Sequence, residues 1–231
     1  MAMTPEQQIA RFVVQQPAAG VPAEARAAVR HILRAVAGTA LAGAGEDGIA
    51  GLRSLLLARG GAPEATLFVF GDRLPAAAAA QFNATLCRAL DFCDAMAPGP
   101  HLGAAVIPAA LAAAELAGGC SGQDLVAAAA IGAELVTRFN HGESQYDGFD
   151  PTGICVPFGA TAAAARLLGL TEAQTLHALA LAFNRCGGSF QSHVDGSLGV
   201  RITQGWVAQA AVAGAQMALL GLTGPANFLA G

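Results

Sequence analysis

The sequence predicts an all-α domain, a multi-helix bundle, and three observations carry that expectation. The 231-residue chain is 54% hydrophobic with a mean hydropathy of +0.50, and alanine supplies most of it. Alanine is the best helix former and loses no side-chain entropy on folding. Helix start and stop signals recur along the whole length, while a single short run, Ala65 to Phe70, reads as a strand.

Taken in order, Thr4-Pro5-Glu6-Gln7 supplies an N-cap, a proline in the first turn and a capping-box glutamine, so a helix is expected over 5–16. Apolar-periodic runs predict helices over 22–42, 46–58 and 76–96. The run 65–70 lies between Pro63 and Gly71 and has no evident second strand, so it reads as an extended segment or an edge awaiting a partner. A Pro/Gly break at 97–100 precedes a helix over 103–117, which Gly118 and Gly119 terminate. Ser121 to Asp124 and Thr171 to Gln174 repeat the N-cap pattern and open helices over 122–139 and 172–184. Further helices are expected over 157–168, stopped by Gly169, and over 200–220. The longest irregular segments are 140–156 and 185–199, and no compositional break divides the chain, so 1–231 reads as one domain.

Composition excludes several classes of function. A net charge of -4 and a pI near 5.7 leave no basic footprint for nucleic acid. The uncharged stretch 202–231 is interrupted by Gln204, Gln209, Gln216 and glycines, which suits a buried helix better than a membrane span. The first eight residues have neither a basic nor an apolar leader pattern. The five cysteines are odd in number and lack C-x-x-C spacing, so they read as reduced thiols of a cytoplasmic protein, with no disulfide framework and no zinc site. All twelve cationic residues are arginine.

Charged residues make up only 12% of the chain, which makes their grouping informative. Asp91 and Asp94 stand three apart at the end of an apolar run, and His101 follows across the Pro/Gly break. On a continuing helix the two acids would share a face. Two readings stay open: acids converging with His101 on a cleft, or capping groups at two helix ends. The segments 140–156 and 185–199 hold most of the other polar residues, as ligand-binding loops on a helical scaffold do. In the second, Arg185 and Arg201 suit forked recognition of carboxylates or pairing with local aspartates, and His193 is either a partner of Asp195 or solvated. His31 and His177, on regular helix faces, read as structural.

The order Leu90-Asp-Phe-x-Asp94, His101-x-x-Ala-Ala-Val106, then Gly148-Phe-x-Pro-Thr-Gly-x-Cys-x-Pro-Phe-Gly-Ala160 resembles the MmgE/PrpD family, which includes 2-methylcitrate dehydratase and cis-aconitate decarboxylase. Ala165 to Leu170, Gly196-Ser197, Gly205-Trp206 and Gly221 to Pro225 extend the resemblance along the chain. The resemblance implies the family's helical N-terminal domain, here without the α+β lid that would begin near Gly231. It further implies homodimers and cofactor-free, metal-free acid–base chemistry on small di- and tricarboxylic acids.

Carried over by motif, Asp91, His101 and Asp150 are the expected catalytic positions, and Arg88, Asp94, Thr152, Gly153, Arg185 and Arg201 the expected substrate-binding ones. Asp150 stands where the family usually has histidine, Val200 where it has the lysine of a Lys-Arg pair, Arg88 for a histidine and Cys93 for an acid. With no lysine in the chain, arginine alone is left to hold a developing enolate, and it is a poor proton donor. Two readings follow: a lyase or isomerase with a substituted site, or a non-catalytic helical scaffold or split fragment that needs a separate lid-domain chain.

Overall fold

The structure, a computed structural model, describes residues 3–229, and helices dominate it as expected. The helices are α1 (Pro5–Gln15), α2 (Ala23–Gly43), α3 (Ile49–Arg59), α4 (Ala76–Cys87), α5 (Gly103–Leu116), α6 (Gly122–Phe139), α7 (Pro151–Leu167), α8 (Glu172–Phe183), α9 (Gln191–Val194) and α10 (Gly199–Leu219). The caps read from sequence are present. Thr4 and Thr171 form full capping boxes with Gln7 and Gln174, and Ser121 accepts the Asp124 N–H. Each satisfies an end-of-helix N–H at a gain of about 1 kcal/mol.

The centre is built from α4, α5, α7 and α10. α10 packs along α4 and α7, α5 fits between those same two, and α6 closes over α7. α1 and α8 cover one flank, and α2 crosses α4, α5 and α6. Small residues set the spacing. A β-carbon on Gly132 of α6 would lie 2.6 Å from the Gly159 carbonyl oxygen of α7, so the two backbones touch where a larger residue would hold them apart. No helix among the described residues is long and apolar enough to cross a membrane.

Three expectations need correction. The helix expected over 76–96 ends at Cys87: Arg88 caps it, and Asp91 at φ +52° turns the chain out of the helical region. Asp91 and Asp94 therefore do not share a helix face. The extended run 65–70 does have a partner, since Ala65–Thr66 (β1) pairs antiparallel with Arg73–Leu74 (β2). Residues 67–72 form the turn between them, with the Leu67 N–H donating to Asp72 and Gly71 to Leu67. Finally, the helix expected from 157 begins at Pro151, and the segment 185–199 contains the short α9.

The early start of α7 has a structural consequence. Pro157 lies inside the helix and has no N–H to give to the Gly153 carbonyl. That carbonyl instead accepts the Gly187 N–H at 2.9 Å. The Asp150 N–H donates to Gly188 and the Phe190 N–H to Gly148, both at 2.9 Å. A proline that looks like a helix breaker thus fastens the 187–190 segment to the first turn of α7.

Candidate active site

The segment between α4 and α5, the N-terminus of α7, α9 and the start of α10 meet at one end of the bundle. Beside this junction lies a cleft of about 270 Å³ lined by Arg88, Asp91, His193, Val200, Arg201 and Glu46, among others; His101, Asp94, Asp150 and Thr152 are not among its lining residues. Arg88 is only 2% exposed, yet it lines this cleft and is ion-paired with the half-exposed Asp91. Its Nη1 also donates to Cys93 Sγ at 3.4 Å. Nε and Nη2 have no protein partner among the described residues. A guanidinium buried to this degree with one partly solvated counter-ion favours a second anion beside it.

His101 stands one residue before the N-cap of α5. Its Nδ1 is 2.8 Å from the Asp94 carbonyl oxygen, which can only accept, so Nδ1 carries the proton and Nε2 the lone pair. Its main chain is pinned from two sides: Thr152 Oγ1 accepts its N–H at 3.3 Å, and Gln204 Nε2 donates to its carbonyl at 2.6 Å. Gln204 is fully buried, and its Oε1 has no partner among the described residues. Burial, and then the positive charge of Arg88, push the His101 imidazole below its ordinary pKa, which keeps it neutral at neutral pH.

The remaining sequence candidates divide by what holds them. Both carboxylate oxygens of Asp94 accept the Gly103 N–H at 3.0 Å, which is the helix-capping alternative, and burial pushes this carboxyl up. Asp150 is the N-cap of α7; its Oδ1 accepts the Thr152 N–H at 2.9 Å and its Oδ2 faces His193 Nε2 at 3.5 Å. Thr152 and Gly153 lie buried in the first turn of α7, and a β-carbon on Gly153 would overlap the Gly187 carbonyl. Arg201 lines the cleft, but it donates to the Asp47 carbonyl at 2.6 Å and pairs with Glu46 at 3.1 Å. It ties α10 to the α2–α3 turn. Arg185 is exposed after the end of α8 and is not among the residues lining the cleft.

Hydrogen bonds join these groups in one line, from His193 through Asp150 and Thr152 to His101. Cys93 lies beyond, 3.6 Å from His101 Nδ1 and in contact with Arg88. Sequence reasoning missed Gln204 and the Asp150–His193 contact. Gln204 had a faint signal, as a polar residue one turn beyond Arg201 in an otherwise uncharged helix.

The His101 shift has a measurable consequence. An imidazole held below its ordinary pKa in the folded state adds stability above about pH 6.5. That contribution is lost as pH falls through the window beneath, because the unfolded chain takes up the proton more readily. Asp94, shifted up, runs in the opposite sense and cannot cause this loss. Between pH 7 and 5 the Tm of the wild type is expected to fall more than that of His101→Gln. Parallel Tm curves in differential scanning calorimetry would contradict the assignment.

A model of the MmgE/PrpD N-terminal domain matches residues 7–231. The chain belongs to the MmgE/PrpD family. Among its relatives in that family, cis-aconitate decarboxylase of Homo sapiens is 31% identical over 164 residues, covering 68% of this chain and 34% of the relative. Cis-aconitate decarboxylase of Mus musculus is 29% identical over 164 residues, covering 68% and 33%. The chain therefore spans about a third of the length of these MmgE/PrpD relatives.

Proposed function

We propose that this domain binds a small di- or tricarboxylic acid in the Arg88 cleft and moves a proton at the carbon next to a carboxylate, as a lyase or isomerase without a cofactor. The observation that carries this reading is the His101 imidazole, held in one tautomer by the Asp94 carbonyl and kept neutral beside a buried arginine. A substrate carboxylate pairs with Arg88. His101 Nε2 takes the proton from the adjacent carbon, and the electron pair moves into the carboxylate, where the guanidinium stabilises it. Asp91 stays with Arg88 and sets its orientation.

Supporting this, the matched relatives are named for a tricarboxylate substrate, cis-aconitate. The homodimer and the separate covering domain belong to the same proposal. Phe92 at 82% exposure, Val194 at 69% and Leu198 at 50% stand on the segments that form the cleft, an apolar rim suited to cover by further polypeptide. The five free cysteines suit a reducing, cytoplasmic setting.

Titration calorimetry with cis-aconitate and citrate tests the reading. Saturable binding is expected, weakened about 10- to 100-fold in Arg88→Met, the range for losing a hydrogen bond to a charged group. Wild-type affinity in a folded Arg88→Met variant would refute the anchor. No binding by the wild type would leave the scaffold alternative standing.

A further inference from the structure

Proton abstraction by His101 uses one acid–base group, whereas eliminating or adding a group across a carbon–carbon bond needs a second to protonate what leaves. We propose that His193, oriented by Asp150, is that second acid–base residue; the inference rests on the carboxylate-site reading above. His193 lines the same cleft as Arg88 and Asp91, and its Nε2 faces Asp150 Oδ2 at 3.5 Å. Asp150 is 4% exposed and cannot swing away, because its other oxygen caps α7 through the Thr152 N–H. A carboxylate fixed on one ring nitrogen orients the imidazole and selects its tautomer, and hydrogen bonds of this kind are often long before substrate binds.

The imidazole is held from its other side as well. Phe190 stacks on it with ring centroids 4.7 Å apart and planes 18° from parallel. The bonds from Gly187, Asp150 and Phe190 described above fix the peptide leading into α9 against α7. Asp195, the partner considered from sequence, accepts instead from Gln191 Nε2 at 2.7 Å. The charged groups sharing the cleft with His193 are Arg88, Asp91, Glu46 and Arg201, and Arg201 is already paired with Glu46. Asp150 is thus a positioning residue and His193 the group that reaches the ligand.

In the reaction, the His193 imidazolium gives its proton to a departing hydroxyl oxygen while His101 Nε2 takes the proton from the neighbouring carbon. The carbon–oxygen bond breaks, a carbon–carbon double bond forms, and water leaves. Both imidazoles exchange their protons with solvent afterwards, and no oxidant or reductant takes part. The reverse sequence adds water.

The test is an NMR titration of the full chain with citrate, following the imidazole C2–H signals assigned through His101→Gln and His193→Gln. The His101 and His193 signals are expected to move with the same half-saturating concentration, and His193→Gln to weaken citrate about tenfold. Asp150→Asn, which keeps a capping side chain, should shrink the citrate-induced movement of the His193 signal while leaving that of His101, and a purely capping role for Asp150 would leave both as in the wild type. Movement of His101 alone, or wild-type affinity in His193→Gln, overturns the second acid–base residue and leaves the carboxylate site standing. If neither signal moves, the carboxylate-site reading fails and this inference falls with it.

Discussion

Replacing His101 with glutamine is expected to lower turnover of a polycarboxylate substrate by about 10²- to 10⁴-fold, the contribution of a positioned general base. The substitution leaves the surroundings in place. The contacts to Thr152 and Gln204 run through the His101 main chain, and glutamine preserves them. With Arg88 untouched, the proposed carboxylate contact should persist, so the loss should appear in kcat with KM little changed, the pattern of an interaction made only in the transition state. A His101→Gln enzyme with the wild-type kcat would remove this residue from the chemistry.

The second large effect is structural. Gly153→Ala is expected to destabilise the fold by about 3 kcal/mol, near the upper end of the usual range for overpacking. The new methyl would meet the Gly187 carbonyl, and a backbone atom cannot rotate aside as a side chain can. The same step disturbs the bond from the Gly187 N–H to the Gly153 carbonyl. For a chain of this size that corresponds to a Tm drop of roughly 6–12 °C. Gly122→Ala, where an added carbon meets nothing within 4 Å, is the control and should leave Tm nearly unchanged. Equal Tm values for the two variants would show that the contact at Gly153 relaxes freely. The close approach at Gly153 holds the segment that leads into α9 against α7.

What the sequence made legible is mostly local. Thr4, Ser121 and Thr171 announced their helices because an N-cap acts on N–H groups two or three residues away. The end of α4 was hidden because Arg88-Ala-Leu offers no helix breaker; the stop comes from the turn at Asp91, whose carboxylate meets Arg88. The start of α7 was hidden by Pro157, whose unused carbonyl partner is claimed by a residue from another segment. β2 escaped notice because two residues are too few for alternation to show. In the site, Asp91, His101, Asp150 and Thr152 were visible through motif order. The contact of His193 with Asp150 spans 43 residues and that of Gln204 with His101 spans 103. No local pattern encodes contacts at such separations, and they appear only once the helices pack.

The most direct measurement of the proton-transfer claim is deuterium incorporation in D₂O, read by NMR on citrate and cis-aconitate incubated with the protein. It needs no completed elimination and no covering domain. Exchange at a carbon next to a carboxylate, saturating with substrate and lost in His101→Gln, is the expected result. Bound substrate whose carbon-bound protons exchange no faster than in buffer would contradict the account.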